Sequence, residues 1–160
     1  MAPGDDVTVD GFLADAVTAV DGKLYALGAG WDRIFVGSFP TRHDRIGVGL
    51  LFHLRASSSP RERRFSVRIE TPSNAPATLA AGADAPVTAV EGAFSTGGGE
   101  DVTVPFALQL DGLPLEAPGR YAVVVTLDGV DVKTLAFGVA LRGDADATPE
   151  RPATGTGGYL

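Results

Sequence analysis

One stretch of sequence decides the fold class: Arg45-Ile-Gly-Val-Gly-Leu-Leu-Phe-His-Leu54. Large apolar side chains occupy every second position of it, at Ile46, Val48, Leu50, Phe52 and Leu54. Successive side chains of a β-strand point to opposite faces of a sheet, so this period of two predicts a strand with one face in the core. The segment Phe65–Glu70 alternates in the same way. No long helical periodicity accompanies these segments, which indicates an all-β chain.

Two Asp-Gly pairs mark the turns of two predicted hairpins, Asp21-Gly22 and Asp128-Gly129. Each pair lies between β-prone runs, and Asp-Gly suits a two-residue hairpin turn because both central residues take a positive φ. Before the first pair, Phe12–Val20 is predicted to be one strand. After the second, four side chains are expected to be buried: Leu135, Phe137, Val139 and Leu141.

Short apolar runs separated by glycine and proline predict about eight or nine strands. The chain has 21 glycines and 11 prolines. We expect a two-layer antiparallel β-sandwich of the immunoglobulin-like kind over residues 1–142. Pro105 cannot donate to a strand ladder, so its strand is expected at a sheet edge or at a bulge. Residues 143–160 are too polar and too rich in small residues to bury a core, and they are predicted to be a flexible tail.

Two polar segments are predicted to lie outside the strands. Thr41–Arg45 follows Phe39-Pro40 and is typical of a turn. Arg55–Arg63 is rich in serine and arginine, and it lacks a large apolar residue to anchor it. We therefore expect a mobile loop there.

The composition excludes several classes of site. The chain has no cysteine and only two histidines, so we expect no metal centre and no cofactor. Acidic residues stand near the N-terminus, where a signal peptide needs basic ones, and no apolar run is long enough to cross a bilayer. A soluble protein in the cytoplasm, without a membrane contact, is the expectation.

The charge is unevenly distributed along the chain. The formal net charge is −7, yet seven arginines and two carboxylates between Arg42 and Arg68 give that segment +5 and leave −12 elsewhere. Overall acidity argues against a nucleic-acid partner, whereas the basic segment suits an acidic protein partner. The candidate interaction residues are Arg42, His43, Arg45, Arg61, Arg63, Arg64 and Trp31. An alternative is that these arginines only cover solvent-facing strands.

Three functions are compatible with these residues. The first is a non-enzymatic interaction or structural module that docks to a protein partner or associates with its own copy. The second is a sandwich that binds a small ligand or a carbohydrate on Trp31 and Tyr25. The third is a hydrolase that uses carboxylates with His43, in which His43 pairs with Asp44; a turn histidine bonded to local backbone is the competing interpretation of that residue. No catalytic residues can be assigned from motifs.

The first half of the sequence resembles a bacterial family of small proteins of unknown function. The resemblance covers roughly residues 12–70 and rests on a set of motifs: Phe12-Leu-Ala-Asp-Ala16, Asp21-Gly-Lys-Leu-Tyr-Ala-Leu-Gly28, Trp31-Asp-Arg-Ile34, Phe39-Pro40 and His43. The family carries no known activity, so the resemblance implies no catalytic residue. Abundant alanine, glycine, aspartate and arginine also suggest an actinobacterial type of genome.

The second half resembles the last hairpin of immunoglobulin-like sandwiches. The matching residues are Pro118-Gly-Arg-Tyr121, then Asp128-Gly129 and Leu135-Ala-Phe137. In those domains a tyrosine that follows Pro-Gly packs at the start of a strand. The resemblance implies a fold, and a fold alone does not imply a function.

Overall fold

The computed structural model describes residues 6–80 and 86–143 of the chain. Those residues are all-β, as predicted, and no α-helix occurs among them. Their strands are β1 (Val7–Ala14), β2 (Ala16–Val20), β3 (Lys23–Leu27), β4 (Arg33–Val36), β5 (Thr41–Leu54), β6 (Ser57–Glu70), β7 (Leu79–Ala80), β8 (Pro86–Val87), β9 (Val90–Gly98), β10 (Val102–Leu115), β11 (Gly119–Leu127) and β12 (Val130–Leu141). In the part of the chain described, no helix could cross a membrane. Apart from Gly143, the predicted tail lies outside the described residues.

The strands form two larger sheets and two small ribbons. One sheet has three strands in the order β1-β5-β10, and the other has five in the order β4-β12-β11-β6-β9. The ribbons are β2-β3 and β7-β8. Almost all pairs of the described strands are antiparallel, but β4 runs parallel to β12. The prediction of an entirely antiparallel arrangement is wrong at this one pair.

The core lies where side chains of the two larger sheets meet. The ring of Phe52, from the three-stranded sheet, lies 5.1 Å from the ring of Phe65 and 4.9 Å from that of Phe94, both from the five-stranded sheet. Phe106 from β10 completes this phenylalanine cluster. Each aromatic pair adds to the stability gained from burying its apolar area.

The segment Arg45–Leu54 is a strand with one buried face, as its alternation predicts. All five of its alternating apolar side chains are buried, from Ile46 to Leu54. Its strand β5 lies at the centre of the three-stranded sheet, between β1 and β10. Pro105 lies on β10, which is an edge strand of that sheet, so the prediction of an edge position is confirmed.

Both predicted hairpin turns are present. Asp21 and Gly22 have φ values of 50° and 72°, and Asp128 and Gly129 have 49° and 83°. These positive values belong to the tight turn that Asp-Gly favours. The turns join β2 to β3 and β11 to β12.

Four local predictions are wrong, and pairing across the sheet explains three of them. Thr41–Arg45 is the first part of β5, because the end of β10 pairs with it. Most of Arg55–Arg63 is strand β6, because β9 pairs with it. The predicted strand Phe12–Val20 is two strands, β1 and β2, which belong to different sheets. Leu141, expected in the core, is 39% exposed at the end of β12.

Candidate interaction surface

The β2–β3 hairpin lies over the outer face of the three-stranded sheet. Val17 of β2 is buried, and the side-chain amide of Gln109 on β10 donates a 2.6 Å hydrogen bond to the Val17 carbonyl. A close approach is possible because Gly47 on β5 has no side chain: a β-carbon there would lie 3.1 Å from the backbone nitrogen of Val17. The glycine at this position therefore helps to seat the hairpin.

The base of the hairpin is held by two backbone hydrogen bonds. Asp15 donates to the Leu27 carbonyl at 3.0 Å, and Gly30 donates to the Leu13 carbonyl at 2.9 Å. Both bonds join the hairpin to the end of β1. The hairpin is thus fixed at its base and along its inner face.

The outer face of this hairpin is apolar and exposed. In the register of the ribbon, Ala16 pairs with Leu27, Thr18 with Tyr25 and Val20 with Lys23, and directly paired residues share a face. The three large apolar side chains of that face are exposed by 49% (Val20), 55% (Tyr25) and 73% (Leu27). Apolar side chains that cluster on one exposed face mark a docking surface more often than single exposed residues do. We call this set, Val20, Tyr25 and Leu27, the hairpin face.

Four of the five predicted interaction arginines are exposed, but they do not form one basic patch. Arg42 and Arg45 lie on β5, whereas Arg61 and Arg64 lie on β6 of the other sheet. Several of the positive charges are matched locally. Arg45 is paired with Asp111 at 2.9 Å, a hydrogen bond that raises the pKa of Arg45, and Arg64 is paired with Glu62 at 3.0 Å. Arg42 donates to the Gly112 carbonyl at 3.1 Å.

Arg63 is buried, with 1% of its side chain exposed. Its guanidinium donates to Asp128 at 2.5 Å and to Asp6 at 2.8 Å. Burial alone would lower the pKa of Arg63, but these two hydrogen bonds outweigh it and raise the pKa. Arg63 is therefore a structural residue and must be removed from the predicted interaction residues.

The two carboxylates around Arg63 are held in their charged form. The hydrogen bond from Arg63 lowers the pKa of Asp6. Burial would raise the pKa of Asp128, but hydrogen bonds from the Arg64 backbone and the Arg63 side chain lower it overall. The cluster joins the start of β1 to β6 and to the turn between β11 and β12.

His43 and Trp31 take positions that packing explains. His43 is half-buried on β5, opposite Leu113. Asp44 is its neighbour along the strand, so the two side chains leave opposite faces and the suggested His43–Asp44 pair does not form. Trp31 packs edge-on against Phe137 at 6.0 Å, and its indole nitrogen has no hydrogen-bond partner among the described residues. No ring contact joins Trp31 to the exposed Tyr25 in this part of the chain.

A second histidine forms an arrangement that the sequence did not suggest. One imidazole nitrogen of His53 lies 2.9 Å from the hydroxyl of Thr103, and the other lies 2.9 Å from a carboxylate oxygen of Asp10. The three side chains come from β5, β10 and β1, and an adjoining cleft of about 310 Å³ includes His53 and Thr103 in its wall. A carboxylate and a hydroxyl on either side of an imidazole can support proton transfer. The three residues are far apart along the chain, so no local motif could have shown this.

Comparison with known proteins identifies the family of this chain. A model for a family of unknown function, DUF6941, matches residues 10–140. The chain belongs to that family. No curated protein matches it. Among solved structures, a Pseudomonas fluorescens alkylpurine DNA glycosylase, AlkC, bound to DNA containing an abasic site analog, is similar with 16% sequence identity and a TM-score of 0.46. The match covers 86% of this chain but 31% of that one, so this DUF6941 chain spans about a third of the glycosylase's length.

Proposed function

We propose that this DUF6941 chain is a non-enzymatic module that docks to a protein partner through the hairpin face. The observation that carries the proposal is the contrast between the two sides of the β2–β3 hairpin. Its inner side packs on the sheet at Val17, while its outer side exposes Val20, Tyr25 and Leu27. When a partner covers exposed apolar area, the free energy falls by about 25 cal/mol for each Å² removed from water.

We also propose that the module is an immunoglobulin-like sandwich. Two features support this assignment: the parallel pairing of β4 with β12, and the hydroxyl of Tyr121, which donates a 2.8 Å hydrogen bond to the Ala117 carbonyl four residues upstream. A tyrosine at the start of a late strand that bonds back to nearby backbone is a hallmark of that fold. In such a sandwich the β2–β3 hairpin is an insertion between β1, which belongs to the three-stranded sheet, and β4, which belongs to the five-stranded sheet.

The location of the hairpin supports a role in recognition. It is anchored to a rigid sheet, so a partner meets a surface that is already ordered and little conformational entropy is lost on binding. The exposed charges of Lys23 and Asp21 stand beside the apolar side chains. Apolar residues with a polar rim are the usual composition of a docking surface.

The test is affinity purification of the full chain with mass spectrometry, using matched variants. One variant carries Tyr25→Ser and Leu27→Ser on the hairpin face, and the control carries Val130→Ser, an exposed apolar residue at a different turn. We expect the wild type and the control to capture the same protein, and the hairpin variant to lose it. If the captured proteins are the same for all three chains, or none is reproducible, the proposal fails.

One observation favours a hydrolase as a second candidate. His53, placed between Asp10 and Thr103, has the hydrogen bonds that a general base needs. The wild type and His53→Gln would be assayed against simple esters, with His43→Gln as the control. Hydrolysis that is lost only in His53→Gln supports this candidate, and equal rates for all three chains remove it.

A further inference from the structure

Strand β9 provides a second exposed surface, independent of the hairpin face. It forms one end of the five-stranded sheet, and among the described strands it pairs only with β6. The other sheet ends are less open. β4 is four residues long, β10 contacts β2 and β7, and β1 contacts β12. A long unpaired strand edge is a template for another strand.

The backbone groups that face outward from β9 can be assigned from its neighbour. The amide and the carbonyl of Arg64 on β6 both point towards the β11–β12 turn, where they bond to Asp128. Arg64 is paired with Ala93, so this is a non-hydrogen-bonded pair of the antiparallel ladder. The amide and the carbonyl of Ala93 must then point away from β6. By the period of two, the same holds for Glu91 and Ser95.

The backbone groups of β6 that face β9 agree with this assignment. Thr96 of β9 donates its hydroxyl to the carbonyl of Arg61, which therefore points towards β9. Arg61 and Arg64 are three residues apart, so their backbone groups face opposite sides of β6, as they must in a regular strand. Glu91, Ala93 and Ser95 thus present three amides and three carbonyls at the open edge.

The open edge of β9 is regular, is anchored to the core, and has little protection against pairing with another strand. Seven consecutive residues, from Val90 to Thr96, pair with β6 without a register shift. The ring of Phe94 holds the strand to the core at 4.9 Å from Phe52. Natural edge strands are usually blocked by charged side chains, proline or a bulge. From Val90 to Thr96 this strand has neither proline nor bulge and a single charge, Glu91, and its other solvent-facing side chains are the small ones of Ala93 and Ser95.

We propose that two copies of this chain associate through β9, antiparallel about a two-fold axis at Ala93, so that their five-stranded sheets join into one sheet of ten strands. Ala93 then pairs with Ala93 of the second copy, and Glu91 pairs with Ser95. All three outward-facing residues of each copy form hydrogen-bonded pairs, six bonds in total. No like charges stand directly opposite each other, because the single charged residue of each edge faces a serine. A symmetric contact of this kind closes on itself and gives a dimer.

The sequence of the edge suits a second copy of itself, because Glu91 then faces the neutral Ser95, whereas a strand with an acidic residue in that place would set two negative charges opposite each other. The pairing also buries the exposed part of Phe94, which is half-covered in the single chain. The hairpin face lies on the β2–β3 ribbon, which packs on the three-stranded sheet and not on β9, so it takes no part in this contact. The dimer and the docking function can therefore fail separately.

The experiment measures the mass of the full chain in solution by light scattering or sedimentation over a range of concentrations. We expect the mass of two chains for the wild type and for the control Ala93→Ser, which keeps the amide. Ala93→Pro removes an outward amide without touching the ladder to β6, so circular dichroism should show an intact fold while dimerisation weakens at least about tenfold. The hairpin variant with Tyr25→Ser and Leu27→Ser should dimerise as the wild type does.

Hydrogen exchange gives a readout that does not depend on any variant. In the dimer, the amides of Glu91, Ala93 and Ser95 exchange slowly, and they become fast on dilution to the monomer. A wild type that stays monomeric up to millimolar concentration overturns the proposal. So does a folded Ala93→Pro chain that dimerises as strongly as the wild type, or fast exchange of these three amides in a dimeric sample.

Discussion

Arg63 donates a 2.5 Å hydrogen bond to Asp128, which lies in the turn between β11 and β12. The arginine side chain is buried, whereas the carboxylate is only partly covered. Asp128 also accepts a 2.9 Å hydrogen bond from the backbone amide of Arg64. The same carboxylate therefore shapes the turn and neutralises a buried cation. This arrangement makes the pair a determinant of stability, in contrast to the arginine pairs on the surface.

Replacing Arg63 by methionine tests this role. Methionine fills part of the volume but leaves Asp6 and Asp128 without their buried partner, so we expect a loss of about 3 kcal/mol in the free energy of unfolding. The neighbouring variant Arg64→Met is the control, because its pair with Glu62 is exposed and should contribute less than about 1 kcal/mol. Urea unfolding measures both. Equal losses for the two variants would contradict a special role for Arg63.

The lowered pKa values of Asp6 and Asp128 predict an acid-labile fold. A carboxylate whose pKa is lower in the folded chain binds protons more readily when unfolded, so its contribution to stability is fully present above the unfolded value of 3.8 and is lost as the pH falls through the lowered pKa. We expect the free energy of unfolding to fall below about pH 4. Arg63→Met should flatten this dependence, because it removes a cause of both shifts. Unfolding curves between pH 2 and pH 7 provide the measurement, and parallel curves for the two chains would exclude the explanation.

The hydrogen bond from Tyr121 to Ala117 predicts the effect of a single oxygen atom. Tyr121→Phe keeps the ring stacked against Phe137 at 5.6 Å but removes the donor, and we expect a loss of about 1 kcal/mol. Tyr25→Phe is the control, since that hydroxyl belongs to an exposed ring and its removal should not change stability. Thermal unfolding compares the two. No loss in Tyr121→Phe would show that the bond does not stabilise the start of β11.

Gly49 is predicted to be sensitive to a single methyl group. A β-carbon at this position would lie 2.3 Å from the ring of Phe12, so Gly49→Ala must displace that ring, at about 1–3 kcal/mol. Gly37→Ala is the control, because nothing lies within 4 Å of a β-carbon there. Chemical unfolding gives the difference. If the two variants are equally stable, Phe12 can move aside without loss.

The sequence predicted those parts of the fold that depend on local pattern. The buried face of β5 and both Asp-Gly turns follow from residues that are neighbours along the chain. The strand pattern of Phe65–Glu70 is confirmed as the second part of β6. The start of β5 and the first part of β6 do not follow from the sequence, because these polar segments become strands only when β10 and β9 supply their hydrogen bonds. Apart from the position of Arg63, no local signal in Thr41–Arg45 or Arg55–Arg63 carries that information.

The candidate sites show the same division. The burial of Arg63 follows from the period of two, which places it on the same face as Phe65 and Val67, although its neighbours Arg61 and Arg64 are exposed. The arrangement of His53 with Asp10 and Thr103 does not follow from any local pattern, since its members are 43 and 50 residues from the histidine. The exposure of the hairpin face depends on which side of the ribbon meets the sheet, and alternation alone does not decide that.

The seating of the β2–β3 hairpin separates the residues that hold it from those it displays. Val17 and the backbone bonds at its base fix its position, and the side chains on its outer side take no part in that anchoring. Substitutions on the exposed side of the hairpin can therefore change its surface without destabilising the sheet beneath it. The same ribbon therefore offers protein engineers a site for grafting short recognition sequences.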